Sequence, residues 1–103
     1  MVEIKYVGWD ELQVDDVDIL QTKDLVAKHA EKLERHVHNR LELVIHVKET
    51  DRAGERKLYF ISARATFPGG TIVSDRSQDW TFSKAVHGAL IALEEQFEKR
   101  FTR

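Results

Sequence analysis

Val2, Ile4 and Tyr6 alternate with Glu3 and Lys5, which predicts a short half-buried strand over residues 2–7, ended by Gly8. From Gln21 or Thr22 the period changes. At 100° per residue Leu25, Val26, Ala30, Leu33 and Val37 fall within about 140° of arc, with His29 inside it, so an amphipathic helix is expected to about Val37. Thr22 or Gln21 would open it, Asp24 would sit in its first turn, and Asn39 would stop it. Leu41, Leu43, Ile45 and Val47 then alternate with Glu42, Val44, His46 and Lys48, the clearest strand in the chain. Asp51–Arg52–Ala53–Gly54 reads as a turn. Residues 56–67 read as a long strand of ambiguous facing, because Leu58 and Phe60 compete with Tyr59, Ile61, Ala63 and Ala65. Pro68–Gly69–Gly70 turns the chain, and Thr71–Ile72–Val73–Ser74 makes a last short strand. From Phe82 a second helix places Phe82, Val86, Ala89, Leu90, Leu93, Phe97 and Phe101 within roughly 120° of arc.

The predicted order is β-α-β-β-β-α, an α/β (α+β two-layer) fold. Short turns make the last three strands an antiparallel meander. The first helix crosses over between strands one and two, which makes them parallel and adjacent with a right-handed connection. The result is a four-stranded mixed sheet with two helices on one face. At 103 residues, 42% hydrophobic and 33% charged, residues 1–103 are expected to form a single domain. There is no cysteine, which excludes disulfides and thiolate metal sites. No apolar run approaches a membrane span, and acidic residues occupy the region where a signal peptide needs an apolar stretch, so a soluble, cytoplasmic protein is expected.

A net charge of −2 argues against a strongly basic nucleic-acid binder, but the charge is uneven. Residues 10–18 carry Asp10, Glu11, Asp15, Asp16 and Asp18 with no Lys or Arg, and read as an acidic loop. From Ile19 onward 15 basic residues face 12 acidic ones. One region avoids anions; another can meet them.

Catalytic chemistry finds little support. Ser62, Ser74, Ser77 and Ser83 lack a nucleophile-elbow context. Glu94 and Glu95 are adjacent on a helix, so they point about 100° apart and read as solvated charge. His36 and His38 flank Val37 with His29 two turns back, and read as capping or surface histidines with no four-ligand set. Pro68–Gly69–Gly70 lacks the lysine and the strand-to-helix context of a phosphate loop. Trp80 can stack on a base but reads better as a staple sealing the start of the second helix beside Phe82. The feature with chemical content is Lys28, Lys32 and Arg35, at i, i+4 and i+7 on one stripe. Such a row suits a phosphate backbone; on the residues alone it reads better as a surface helix held by Asp24–Lys28 and Glu31–Arg35 pairs. On the second helix Lys84 and Lys99 share their polar face with Glu95 and Glu98.

The element order, the Lys32–Leu33–Glu34–Arg35 run, Gly69–Gly70–Thr71–Ile72–Val73, Asp79–Trp80, Ala85–Val86–His87 and Leu93–Glu94–Glu95–Gln96 resemble the ribosome hibernation promoting factor and ribosome-associated inhibitor family, also described as sigma-54 modulation proteins. The resemblance implies a non-enzymatic factor, with no cofactor, metal, membrane or small-molecule substrate. It implies binding to the small ribosomal subunit in the mRNA and tRNA channel, which inhibits translation or preserves idle ribosomes under stress. Carried over by position, the rRNA contacts would be Lys28, Lys32 and Arg35 on the first helix and Lys84, Lys99, Arg100 and Arg103 on the second. His87 stands where an acidic residue is usual, Ala92, Glu95 and Glu98 stand where relatives often carry Lys or Arg, and two extra residues separate Trp80 from Ala85. With Arg103 as its last residue, the sequence is expected to be a short member without the ribosome-dimerising extension. The alternative is a protein-interaction module of the same fold that has lost ribosome binding.

Overall fold

The computed structural model describes residues 2–37, 39–51, 54 and 56–101, with Arg76 by its backbone alone. Its elements are β1 (Val2–Val7), a single 3-10 turn (Trp9–Glu11), α1 (Asp16–Val37), β2 (Leu41–Asp51), β3 (Lys57–Phe67), β4 (Gly70–Asp79) and α2 (Phe82–Phe101). The strands form one sheet in the order β1-β2-β3-β4. β1 runs parallel to β2, with Ile4 opposite Leu43, while β2–β3 and β3–β4 are antiparallel. This is the two-layer, mixed-sheet arrangement that the patterning predicts. The turn expected at residues 51–54 falls largely outside the described residues.

The period-2 and period-3.6 faces meet in one core. Leu41, Leu43, Ile45 and Val47 on β2 point to the same side as Ile61, Ala63 and Ala65 on β3, and all are buried. α1 brings Val26, Ala30 and Leu33 to that layer, and α2 brings Val86, Ala89, Leu90, Leu93 and Phe97. Burying one such side chain contributes about 1.5–3 kcal/mol. The facing of β3 is thereby decided: Tyr59, Ile61, Ala63, Ala65 and Phe67 point inward, and Leu58 and Phe60 lie half-buried on the helix-free side.

Three local expectations give way. α1 begins at Asp16, not at Thr22. Asp15 caps it, its Oδ1 accepting the Val17 N–H at 3.1 Å, and Asp16 and Asp18 occupy the first turn, where the helix dipole favours anions. The extra turns leave no apolar period because Val17 and Leu20 face solvent, 56% and 64% exposed. Thr22 is buried inside the helix, donating to the Asp18 carbonyl at 2.7 Å. β4 likewise continues from Gly70 to Asp79, past an irregularity where Ile61 pairs with Ser77 but Ala63 pairs with Ser74. That bulge resets the alternation, so a single period read from sequence stops at Ser74.

The third correction concerns the staple. Trp80 is exposed, and the seal comes from Trp9. Gly8 adopts φ 83°, and a Cβ there would stand 2.5 Å from the Val47 carbonyl oxygen, so only glycine fits this turn comfortably. The turn folds Trp9 back over the sheet. Its indole N–H donates to the Ile45 carbonyl at 3.1 Å, and its ring meets Tyr6 and Phe82 edge-on, with centroids 4.8 and 5.1 Å away.

Candidate nucleic-acid interface

α1 and α2 run in the same direction. His29 on α1 lies beside His87 and Glu94 of α2, and His36, two turns on, lies beside Phe97 and Phe101. The C-terminal turns of both helices therefore share one end of the molecule, and with them Arg35, Lys99 and Arg100. The start of α1, with Asp15, Asp16 and Asp18, points to the other end. Like charges are thus sorted along a body whose longest extent is 47 Å. Cations at helix C-termini also complement the partial negative charge there.

Lys28, Lys32 and Arg35 are exposed along one side of α1, spanning about 10 Å of helix. Asp24–Lys28 and Glu31–Arg35 pairs do not form. Among the described residues no carboxylate lies within ion-pair distance of any of the three, nor of Lys84 or Lys99. The closed ion pairs lie elsewhere: Lys5–Glu42, Arg40–Glu3, and Lys57 with Glu49 and Asp51.

The second-helix candidates divide. Lys84 is exposed in the first turn of α2, at the opposite end from Lys99. Lys99 and Arg100 line a shallow concavity of about 370 Å³ with Thr71, Ile72, Val73 and Gln96. Arg100 is partly committed to the fold. Its Nη2 donates to the Gly69 carbonyl at 2.9 Å, and its guanidinium lies 5.4 Å from the Phe67 ring centre. Arg103 lies outside the described residues. Glu95 and Glu98 are exposed on α2 and interrupt the cations.

The histidines carry a feature that the sequence pattern does not show. His29 is buried, and its Nδ1 is hydrogen-bonded to Glu94 Oε1 across the helix interface. His87 packs edge-on against His29, with centroids 5.5 Å apart. Glu94 is therefore an interhelical partner, not solvated charge. His38 lies outside the described residues. Among the described residues no group of three or more His, Asp or Glu is placed to hold a metal, and no helix is long and apolar enough to cross a membrane.

The family model for sigma 54 modulation protein / S30EA ribosomal protein matches residues 20–103. The chain belongs to that family. All seven cationic candidates fall inside the matched stretch of this S30EA family member, and the acidic run 10–18 falls outside it. Among solved structures, the N-terminal domain of Thermus thermophilus Protein Y superposes with a TM-score of 0.65 at 23% identity, covering 97% of this chain and 99% of that domain; the two share a fold. No curated protein sequence matches the chain.

Proposed function

We propose that this S30EA-family domain binds the small ribosomal subunit without catalysing a reaction, filling the mRNA and tRNA path so that translation is inhibited or idle ribosomes are preserved under stress. Its place of action is then the cytoplasm. The observation that carries the reading is the open α1 stripe: Lys28, Lys32 and Arg35 stand exposed with no carboxylate in ion-pair reach among the described residues. Each can meet an rRNA phosphate and release a counterion. Arg35 and Lys99 extend the positive side at one end, Arg103 follows in the sequence, and Lys84 offers a phosphate partner at the other end. Arg100 holds the β3–β4 turn through Gly69 and keeps further guanidinium donors for phosphate. Phosphate contacts of this kind fix orientation, and the shape of folded RNA gives specificity.

Co-sedimentation with small subunits across a salt series tests this, with tRNA as competitor. Binding that weakens steeply with salt and is displaced by tRNA supports channel occlusion; no binding at low salt removes it. The second reading, an interaction module that has lost ribosome binding, is favoured by Glu95 and Glu98 on α2 and by the exposed Val17 and Leu20.

A further inference from the structure

The two tryptophans occupy opposite environments. Trp9 is 3% exposed with its indole N–H bonded; Trp80 is 46% exposed. Among the described residues the Trp80 ring meets no other aromatic ring, and its indole N–H meets no acceptor. Asp79 Oδ1 accepts the Thr81 N–H at 2.9 Å, which braces the backbone on both sides of Trp80 where β4 gives way to α2. The ring does have one partner. The Arg56 guanidinium lies 4.0 Å from the ring centre, close enough for a strong cation–π contact.

Arg56 makes no hydrogen bond or ion pair among the described residues, so its donors remain available while its plane is occupied. Among the described residues, Asp79 is engaged with Thr81, and Asp51 and Glu49 are held by Lys57. Lys84 stands exposed one turn into α2. An aromatic ring with a guanidinium on one side and solvent around it, flanked by uncommitted cations, has the composition of a single-stranded nucleic-acid contact.

We propose that Trp80 and Arg56 form a stacking site for one unpaired RNA base, which lies against the indole while Arg56 and Lys84 meet the adjoining phosphates. The identity of the RNA as ribosomal rests on the function proposed above; the site itself does not. A helix of 20 residues is about 30 Å long, so this site and the cations at the C-terminal end of α2 would grip RNA at two separated points. Every base has a π-face, so the site tolerates sequence.

The test titrates the whole protein at low salt with octa-adenylate and, separately, with an abasic octamer of the same backbone charge. Emission from exposed Trp80 is the readout, and buried Trp9 is the internal reference. The expected result is quenching by octa-adenylate alone. With fluorophore-labelled octa-adenylate followed by anisotropy, Trp80→Ala is expected to weaken binding about tenfold, and Trp80→Tyr to restore most of it. Equal quenching by the abasic chain, or unchanged binding in Trp80→Ala, overturns the stacking site. Because the titration contains no ribosome, oligonucleotide stacking without subunit co-sedimentation upholds this site and sinks the ribosome reading. Co-sedimentation without stacking does the reverse.

Discussion

The Trp9 indole closes one end of the core by two means at once, ring contacts with Tyr6 and Phe82 and a hydrogen bond to the Ile45 carbonyl. Trp9→Phe keeps much of the packing and removes that hydrogen bond, a cost of about 0.5–1.5 kcal/mol. Urea unfolding should show the midpoint falling with an unchanged slope; no shift would mean that water replaces the indole. Tyr59, buried beside Phe82, sets an alkaline limit. Burial above all, and then the charge of Glu49, raise its hydroxyl above the ordinary 10.0, with Lys57 opposing. Burial and Asp24 raise Tyr6 in the same direction. The hydrogen bond to Asp51 leads the causes that raise Lys57 above 10.5. In each case the folded state retains its proton when the unfolded chain is losing it, so the contribution is full below the unfolded value and is lost as pH rises through the folded one. The denaturation midpoint should stay flat between neutral pH and about 9 and drop above about 10. Tyr59→Phe should lessen the drop; an identical drop would take Tyr59 out of the account.

Helix α1 carries both signs of charge on one rod, acids in its first turn and cations in its second half. Starting at Asp16 instead of Thr22 makes the acidic residues part of the same rigid element as Lys28, so the spacing between the two charge groups is set by helix rise. Lys28→Glu with Lys32→Glu reverses the middle of the cationic stripe at exposed positions, where substitutions change stability by only about 0.5 kcal/mol. Circular dichroism and melting should therefore be unaltered. Subunit binding should weaken, and the slope of log affinity against log salt should shrink by about 0.7–0.9 for each phosphate that is no longer neutralised. Retained affinity with the original slope would remove this stripe from the interface. On α2 a side-chain bond protects the open edge of the sheet: Gln96 donates to the Val73 carbonyl at 2.9 Å, which blunts β4 against pairing with another chain.

The whole molecule is mildly acidic, yet its charges are spatially sorted. Acids crowd the entry to α1, while Arg35, Lys99 and Arg100 gather at the far end. The arrangement lets a chain of net charge −2 present a positive side, because Asp16 and Arg35 stand about 28 Å apart along α1, roughly three Debye lengths at physiological salt. Glu95 and Glu98 on α2, like Glu31 on α1, stand exposed inside the positive region. Glu95→Lys with Glu98→Lys should tighten small-subunit binding and steepen its salt dependence, by roughly 1.5 in the log–log slope if both new cations find phosphates. Co-sedimentation at several salt concentrations reads both quantities, and unaltered binding would place the outer face of α2 away from RNA.

Element order and the core faces of β2, α1 and α2 were legible from sequence because they rest on local periods, and sheet pairing followed from short turns and one helical crossover; the facing of β3 was not legible, because apolar residues stand on both its sides. The alternation at Leu41–Val47 and the 3.6-residue spacing from Phe82 to Phe97 each show which side is apolar without knowledge of what covers it. The cationic stripe was legible for the same reason, as helical spacing alone puts Lys28, Lys32 and Arg35 on one side. Which of two tryptophans would be buried, and where Glu94 and Arg100 would find partners, were decided by contacts between residues far apart in the chain. His29 and Glu94 are 65 positions apart, Trp9 and Ile45 are 36, and Arg100 and Gly69 are 31. Such pairs leave no periodic trace, because they depend on how two finished layers settle against each other. That settling placed one indole in the core and left the other exposed beside an arginine.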